Sequence, residues 1–429
     1  MSVEVNVVGT KCGAGSGGLS CTYCYQAPVR RADGNAGAPE LNLPAVKRAV
    51  LASGCTPRDG FSVFGGEPLL ADPADLEALW SWGLEQYGKN GVQTSGRPVT
   101  EAHIQLFLKY KVHVGFSIDG PGELNEARVA GTRLETHRAT THSIDALMEC
   151  LRRGIGASLI VTLSTHNASA SRLPKLVAWL RNLSIAGLRD ARLHVLEIDA
   201  PHSKLIALTP EENEAAMVAC HALELGTPLR FDVFKDIRKL LRAQDADVTC
   251  VWTACDPWTT PAVHGISMDG GRYLCERVHK DGKRWAPAQP GPMARQLILG
   301  STPQEEGGCQ GCRFRIMCKG QCPGTAIGGD WRKRSVDCEL WKALFTRVEG
   351  ELEAAGETPV SKRADLPAIE ARMEAAWAHG VSASVQSCLE GAPVVIPGGR
   401  AHVDSHGDQH GDRPHGDHTD HGDSSTEVK

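Results

Sequence analysis

Three cysteines near the start of the chain, Cys12, Cys21 and Cys24, lie on a stretch rich in Gly and Ser. Three thiolates can hold a four-iron cluster and leave one iron without a protein ligand, open to chemistry. Further on, Gly65-Gly66-Glu67-Pro68 brings a carboxylate to a backbone bare of side chains. Such a turn admits a ligand closely, and its carboxylate can hold an ammonium group. Ser117 and Asp119, followed by Arg128, offer a hydroxyl, a carboxylate and a guanidinium able to grip a second carboxylate. Gln93, Thr94 and Ser95 give polar atoms at another segment end. Read alone, Glu67 and Arg128 also fit ordinary surface positions. The later cysteines, Cys309-x2-Cys312-x5-Cys318-x3-Cys322 and then Cys338, are preceded by Cys250, Cys255 and Cys275. Sets of four at such spacing suit metal, either zinc or iron–sulfur.

These residues need elements to place them. Val3–Val8, Phe61–Phe64, Val92–Thr94, Val112–Ile118, Leu159–Leu163 and Leu193–Ile198 read as strands. Helices are expected from about Pro44 to Ala52, Asp72 to Tyr87, Thr100 to Lys109, Arg138 to Arg153 and Leu173 to Leu183. Six alternations of strand and helix predict an α/β fold with a parallel sheet, a barrel or partial barrel. Its site belongs at the C-terminal strand ends, where the polar and glycine motifs fall. Thr209-Pro210-Glu211-Glu212 opens a helix to about Leu225, and Phe231 to Leu241 forms another. From Cys250 to Cys338 the chain is loop-rich. Helices return at Cys338–Leu352 and Ile369–Trp377, and from about Pro397 the chain is a low-complexity His/Asp-rich stretch expected to be disordered.

Length and composition set bounds. The chain has 429 residues, a formal net charge of -5 and fifteen cysteines. The mild charge gives no argument for nucleic acid or an acidic membrane surface. There is no signal peptide and no apolar run of membrane-spanning length, so a cytoplasmic protein is expected. So many cysteines in a reducing compartment indicate metal, and their odd number argues against a disulfide framework. Cys150 and Cys220 fall in helical patterns and read as small buried residues, and Cys55 and Cys388 lie in expected loops.

The triad, ending in Tyr23-Cys24, resembles that of the radical S-adenosylmethionine (radical SAM) enzymes. It departs from their commonest spacing, with eight residues rather than three between the first two cysteines. The resemblance runs from Val3 to roughly Leu240 and implies a six-stranded partial (β/α) barrel. In that reading Gly65, Gly66, Glu67 and Pro68 hold the methionine amino group of SAM. Ser117 and Arg128 hold its carboxylate, while Tyr23, Gln93, Thr94 and Asp119 lie along the cofactor. The later cysteines resemble the seven-cysteine pattern of the SPASM domain, since Cys255 is followed by Gly270 and Cys275. By position Cys309, Cys312, Cys318 and Cys338 would hold one auxiliary cluster. Cys255, Cys275 and Cys322 would hold part of another, with Cys250 the available fourth thiol.

The resemblance therefore implies three 4Fe–4S clusters, one binding SAM and two auxiliary. The expected divisions are a radical SAM barrel over 1–240, a SPASM domain over 241–348, a helical segment over 349–396 and a tail over 397–429. The implied activity is hydrogen abstraction from a side-chain carbon of a ribosomally made precursor peptide, leading to an oxidative crosslink. A sulfatase maturase making formylglycine is the alternative enzyme. A non-enzymatic electron carrier or metal-binding protein is the alternative of another class. In sulfatase-maturing relatives an acidic residue directly after a cluster cysteine acts as a base, and Glu276 occupies that position. Expected partners are a precursor peptide or protein, an electron donor such as flavodoxin or ferredoxin, and a separate peptide-recognition protein. No recognition domain is expected before the first strand.

Overall fold

In the computed structural model the described residues are 2–27, 40–57, 59–198, 201–279, 291–389 and 391. The chain divides into one packed unit, Met1–Val394, and the segment Val395–Lys429. The His/Asp-rich stretch lies outside the described residues.

Eleven strands are described: β1 (Ser2–Asn6), β2 (Ser20–Cys21), β3 (Phe61–Phe64), β4 (Asn90–Thr94), β5 (Val112–Ser117), β6 (Arg128–Val129), β7 (Ala157–Leu163), β8 (Asp190–Val195), β9 (Arg230–Phe231), β10 (Val263–Ile266) and β11 (Arg272–Leu274). Nine of them form one sheet in the order β11-β10-β1-β3-β4-β5-β7-β8-β9. Every pairing in it is parallel except β10 with β11. This is the mixed α/β, partial-barrel architecture expected from the sequence. Helices between successive strands cover one face, so Val5, Val63, Val114 and Val161 have no solvent exposure. The alternate residues of β1 and β8, among them Glu4, Arg192 and His194, line the interior.

Local signals account for the helices. Asp72 caps Pro73–Tyr87 by accepting from the Ala74 amide at 2.8 Å, and Gly88 ends that helix with φ 70°. Leu76, Leu79 and Trp80 form its buried face. The helix expected from Arg138 starts earlier, at Arg133. Thr132 and Glu135 form a capping box there, with the Thr132 amide donating to Glu135 at 2.7 Å.

The cysteine-rich region is less separate than its composition suggests. β10 pairs with β1 in parallel, so the hairpin β10–β11 extends the barrel sheet. The helix Cys338–Ala354 buries Trp341, Phe345 and Val348, and one hydrophobic core joins these to Phe234 and Ile237 of the helix Asp232–Leu241. Trp252 packs edge-on against both Trp341 and Phe345 at 5.7 Å. A buried ion pair, Lys319 with Asp245 at 3.0 Å, adds a tether. Asp245 also accepts from the Val385 amide at 2.9 Å, holding the helix Val385–Leu389. Cys388 is buried in that helix rather than in a loop, and Cys150 and Cys220 are fully buried, as expected.

Candidate active site

The loop after β1 carries Cys12, and β2 carries Cys21. The antiparallel pair β2–β6 sets Arg128 directly opposite Cys21, with Nη1 3.9 Å from the sulfur. The Ser16 amide donates to the Gly13 carbonyl at 3.1 Å, and Gly13 and Gly17 take φ of 120° and 90°. The insert between the first two cysteines therefore folds back on itself. It returns so tightly that the Cys12 thiol lies 2.7 Å from the Leu19 carbonyl. Leu19 packs on Ala130 and Ala139, which makes the insert part of the scaffold. Burial pushes Cys21 up to about 12, and the charges of Cys24 and Cys12 add to this against the pull of Arg128. A cationic metal centre would stabilise the Cys21 thiolate against that burial, and three thiols on one short loop are a donor set that fits an iron cluster.

Gly65 and Gly66 let the end of β3 close onto the cysteine loop. A Cβ on Gly66 would lie 2.3 Å from the Lys11 carbonyl oxygen, and one on Gly65 2.6 Å from Asn6 Oδ1. The Glu67 amide donates to Lys11 at 3.0 Å. The Glu67 carboxylate, 2% exposed, accepts from Thr94 Oγ1 at 2.7 Å, the Ser95 amide at 2.9 Å and Ser95 Oγ at 2.5 Å. Burial raises its pKa even against those bonds. Arg128 is 7% exposed and pairs with Asp119 at 2.9 Å. Asp119 also accepts from Tyr23 Oη and from the Thr162 amide. Arg128 Nε is buried with no hydrogen-bond partner in the structure. A donor in that state calls for an acceptor, and the carboxylate of SAM is of the right kind. Gln93 donates to Ser117 Oγ at 2.8 Å.

These groups share one cavity of about 320 Å³. Cys12, Cys21, Cys24, Tyr23, Gly65, Gly66, Glu67, Gln93, Thr94, Ser117 and Arg128 all line it. Pro68 does not: it is buried at the start of a short turn capped by Glu67. Asp119 stands behind the wall and acts through Tyr23 and Arg128. Glu276 is also off the wall. It is 6% exposed and accepts from Asn6 Nδ2 at 3.0 Å and Tyr273 Oη at 2.6 Å. The structure thus places Glu276 behind the wall, held by Asn6 of β1 and Tyr273 of β11, and not among the residues that line the cavity.

The same cavity holds residues that sequence reasoning missed: Glu4, Tyr25, Arg192, His194, Glu197, Asp232, Arg277 and Asp337. Arg192 pairs with Asp232 at 2.6 Å, and Arg277 pairs with Glu197. Burial, with Glu276's charge behind it, pushes Glu4 up to about 7. Burial and the neighbouring arginines hold His194 well below the usual histidine range, hence neutral. A signal for Glu4, Arg192 and His194 was present in the sequence. When a sheet is covered outside and curves inward, its polar alternate face lines the interior instead of meeting solvent.

Cys250, Cys275 and Cys322 also line this cavity. With Cys255 they also surround a smaller pocket whose other walls include Val251, Pro257, Pro261, Val263, Leu274 and Val278. Cys309, Cys312, Cys318 and Cys338 surround a third pocket beside Phe314, Trp341 and Phe345. These eight cysteines stand as thiols. Burial pushes Cys255 and Cys309 up to about 12. Each quartet encloses a void, which fits a polynuclear cluster. Among the described residues no group of three His, Cys, Asp or Glu is arranged to hold a single metal ion.

The segment between Cys318 and Cys322 lets neighbouring cysteines serve different pockets. Lys319, Gly320 and Gln321 all take positive φ, at 55°, 70° and 61°. Two non-glycine residues there are strained and need holding. Arg295, with no solvent exposure, holds them by donating to the carbonyls of Lys319 at 3.2 Å and Gly320 at 3.1 Å. It also donates to Trp331 at 2.7 Å and Lys333 at 3.1 Å. Arg295→Gln is expected to destabilise the fold by about 3 kcal/mol or more, because several buried carbonyls lose their donor. Chemical denaturation of the reconstituted protein measures this, and a change below about 1 kcal/mol would contradict the role given to Arg295.

No family model matches the chain. It is 31% identical over 144 residues to the uncharacterized protein sll1766 of Synechocystis sp., covering 30% of this chain and 35% of that protein. The match thus spans about a third of that relative's length. Among solved structures, the chain is similar to native anSMEcpe with bound AdoMet and the Cp18Cys peptide. That similarity has a TM-score of 0.59 at 15% identity, over 82% of this chain and 98% of the other. The same protein with AdoMet and the Kp18Cys peptide gives 0.61 at 14% identity, with the same coverage. The chain shares the fold of anSMEcpe, a mixed α/β partial barrel continued by a cysteine-rich region.

Proposed function

We propose that the protein is a radical SAM peptide maturase that installs an oxidative crosslink in a ribosomally made precursor. The observation carrying this reading is the cavity itself. Its lining brings together the three-cysteine loop, Glu67 and Arg128 with Cys250, Cys275 and Cys322 of the later cysteine set. A 4Fe–4S cluster on Cys12, Cys21 and Cys24 supplies, when bound with SAM, a 5′-deoxyadenosyl radical able to take a hydrogen atom from an unactivated carbon. Glu67, fixed by Thr94 and Ser95, holds the ammonium of SAM. Arg128 Nε and Ser117 Oγ hold its carboxylate, with Asp119 orienting Arg128. Gln93 and Thr94 border the nucleoside. The eight later cysteines hold two auxiliary clusters, and Cys250 completes the first quartet. That quartet puts an electron acceptor beside the substrate, so the net change is oxidative. The proposed divisions remain 1–240 for the barrel, 241–348 for the auxiliary-cluster region and 349–396 for the helical segment, with 397–429 as tail.

Among the described residues no helix is long and apolar enough to cross a membrane. Flavodoxin or ferredoxin is the proposed electron donor, and a separate recognition protein is a further proposed partner. The sulfatase-maturase alternative would use a carboxylate after Cys275 as its base, and Glu276 is engaged by Asn6 and Tyr273 away from the cavity. Co-expression with a peptide encoded beside the gene tests the reading. A peptide that loses two hydrogens, with one new bond between side chains, supports it. A cysteine or serine converted to an aldehyde overturns it in favour of the alternative.

A double variant checks the auxiliary quartet. Cys250→Ala with Cys255→Ala is expected to lose the iron of one cluster and to abolish peptide product while still cleaving SAM. Iron analysis and separation of both products by chromatography check this outcome. Unchanged iron would remove Cys250 and Cys255 from the ligand set.

A further inference from the structure

The charges on the cavity wall do not balance. Arg128, Arg192 and Arg277 are each committed to a carboxylate: Asp119, Asp232 and Glu197. Glu4 and Asp337 line the same cavity. Among the described residues neither side chain enters a hydrogen bond or an ion pair. Asp337 stands at the N-cap of Cys338–Ala354 without a capping bond, and Glu4 projects from the inner face of β1. An ionised carboxylate facing a largely desolvated wall is costly until a cation meets it. Here two such groups come from distant parts of the chain.

We propose that this part of the cavity binds a basic group of the substrate, the side chain of a lysine or arginine in the peptide. The inference rests on the peptide-maturase reading and narrows its substrate class. The cavity also offers Tyr25 and Trp341, whose rings suit the aliphatic stem of such a side chain. Arg192 and Arg277 are each paired with a carboxylate, and Arg128 is given to Asp119 and to SAM, so an acidic residue of the peptide is offered no arginine of its own on the described wall.

The test uses reconstituted protein with SAM, under anaerobic conditions, titrated calorimetrically with blocked tripeptides. The peptides share alanine at both ends and carry lysine, arginine, norleucine or glutamate in the middle. Norleucine keeps the stem of lysine without its charge. The lysine or the arginine peptide is expected to bind about tenfold tighter than norleucine, with glutamate weakest. Glu4→Gln is expected to remove most of that preference, and Glu4→Gln with Asp337→Asn all of it. Equal binding of lysine and norleucine, no binding of any peptide, or a preference surviving Glu4→Gln overturns the proposal. If the double variant loses iron, Glu4→Gln alone decides. SAM cleavage is measured separately. Protein that cleaves SAM without a basic preference overturns this proposal alone. Protein that prefers lysine yet cannot cleave SAM overturns the maturase reading and leaves the basic-group site standing.

Discussion

Replacing Cys24 with alanine is expected to end the formation of 5′-deoxyadenosine while the iron of the two later quartets remains. Cys21 and Cys24 are joined by a tight turn, the Cys24 amide donating to the Cys21 carbonyl at 3.2 Å, and Cys12 returns beside them through the Gly-rich insert. Two thiolates from this loop cannot hold a four-iron cluster with one iron open. The later quartets sit in separate pockets and share no ligand with the triad. Iron content should therefore fall by about one cluster in three, with cleavage at the level of a no-enzyme control. The electron paramagnetic resonance spectrum of the reduced protein should lose one component, the one that changes when SAM is added. If cleavage survives in Cys24→Ala, the triad is not the site of chemistry.

Glu67→Gln is expected to weaken SAM binding about 10- to 150-fold, the range set by losing a charge-assisted hydrogen bond of roughly 1.5–3 kcal/mol. The substitution keeps the shape of the side chain and removes its charge. It also turns an acceptor into a donor facing Ser95, whose amide and hydroxyl both now donate to Glu67. The damage is therefore twofold: the ammonium loses its counter-charge, and the turn that presents it is loosened. Equilibrium dialysis with labelled SAM measures the effect. An unchanged affinity would return Glu67 to the role of a buried capping residue for the Pro68–Leu70 turn.

Much of this site was legible before the fold was known. Gly65 and Gly66 stand where a Cβ would strike Asn6 or the Lys11 carbonyl, and their pairing with Glu67 could be read directly. The six main strands followed from short β-branched runs, because residues buried from both sides leave an apolar signature. Other features depended on long-range partners that no local pattern contains. Val263–Ile266 is short and contains a glycine, and it becomes a strand only because β1 offers an edge 261 residues away in sequence. Glu4 looked like the polar half of an ordinary alternation, since only sheet curvature turns that face into a cavity wall. Glu276 was placed by its position after Cys275, but Asn6 and Tyr273 decide where its carboxylate points. Cys250 was named with Cys255, Cys275 and Cys322 only as the available thiol, and the fold brings all four to the lining of one pocket.

The most direct test is whether anaerobically reconstituted wild-type protein, given a strong reductant and SAM, releases 5′-deoxyadenosine and methionine. The account predicts both in equal amounts, dependent on reductant and iron. Iron-loaded protein that binds SAM yet yields neither product would contradict it.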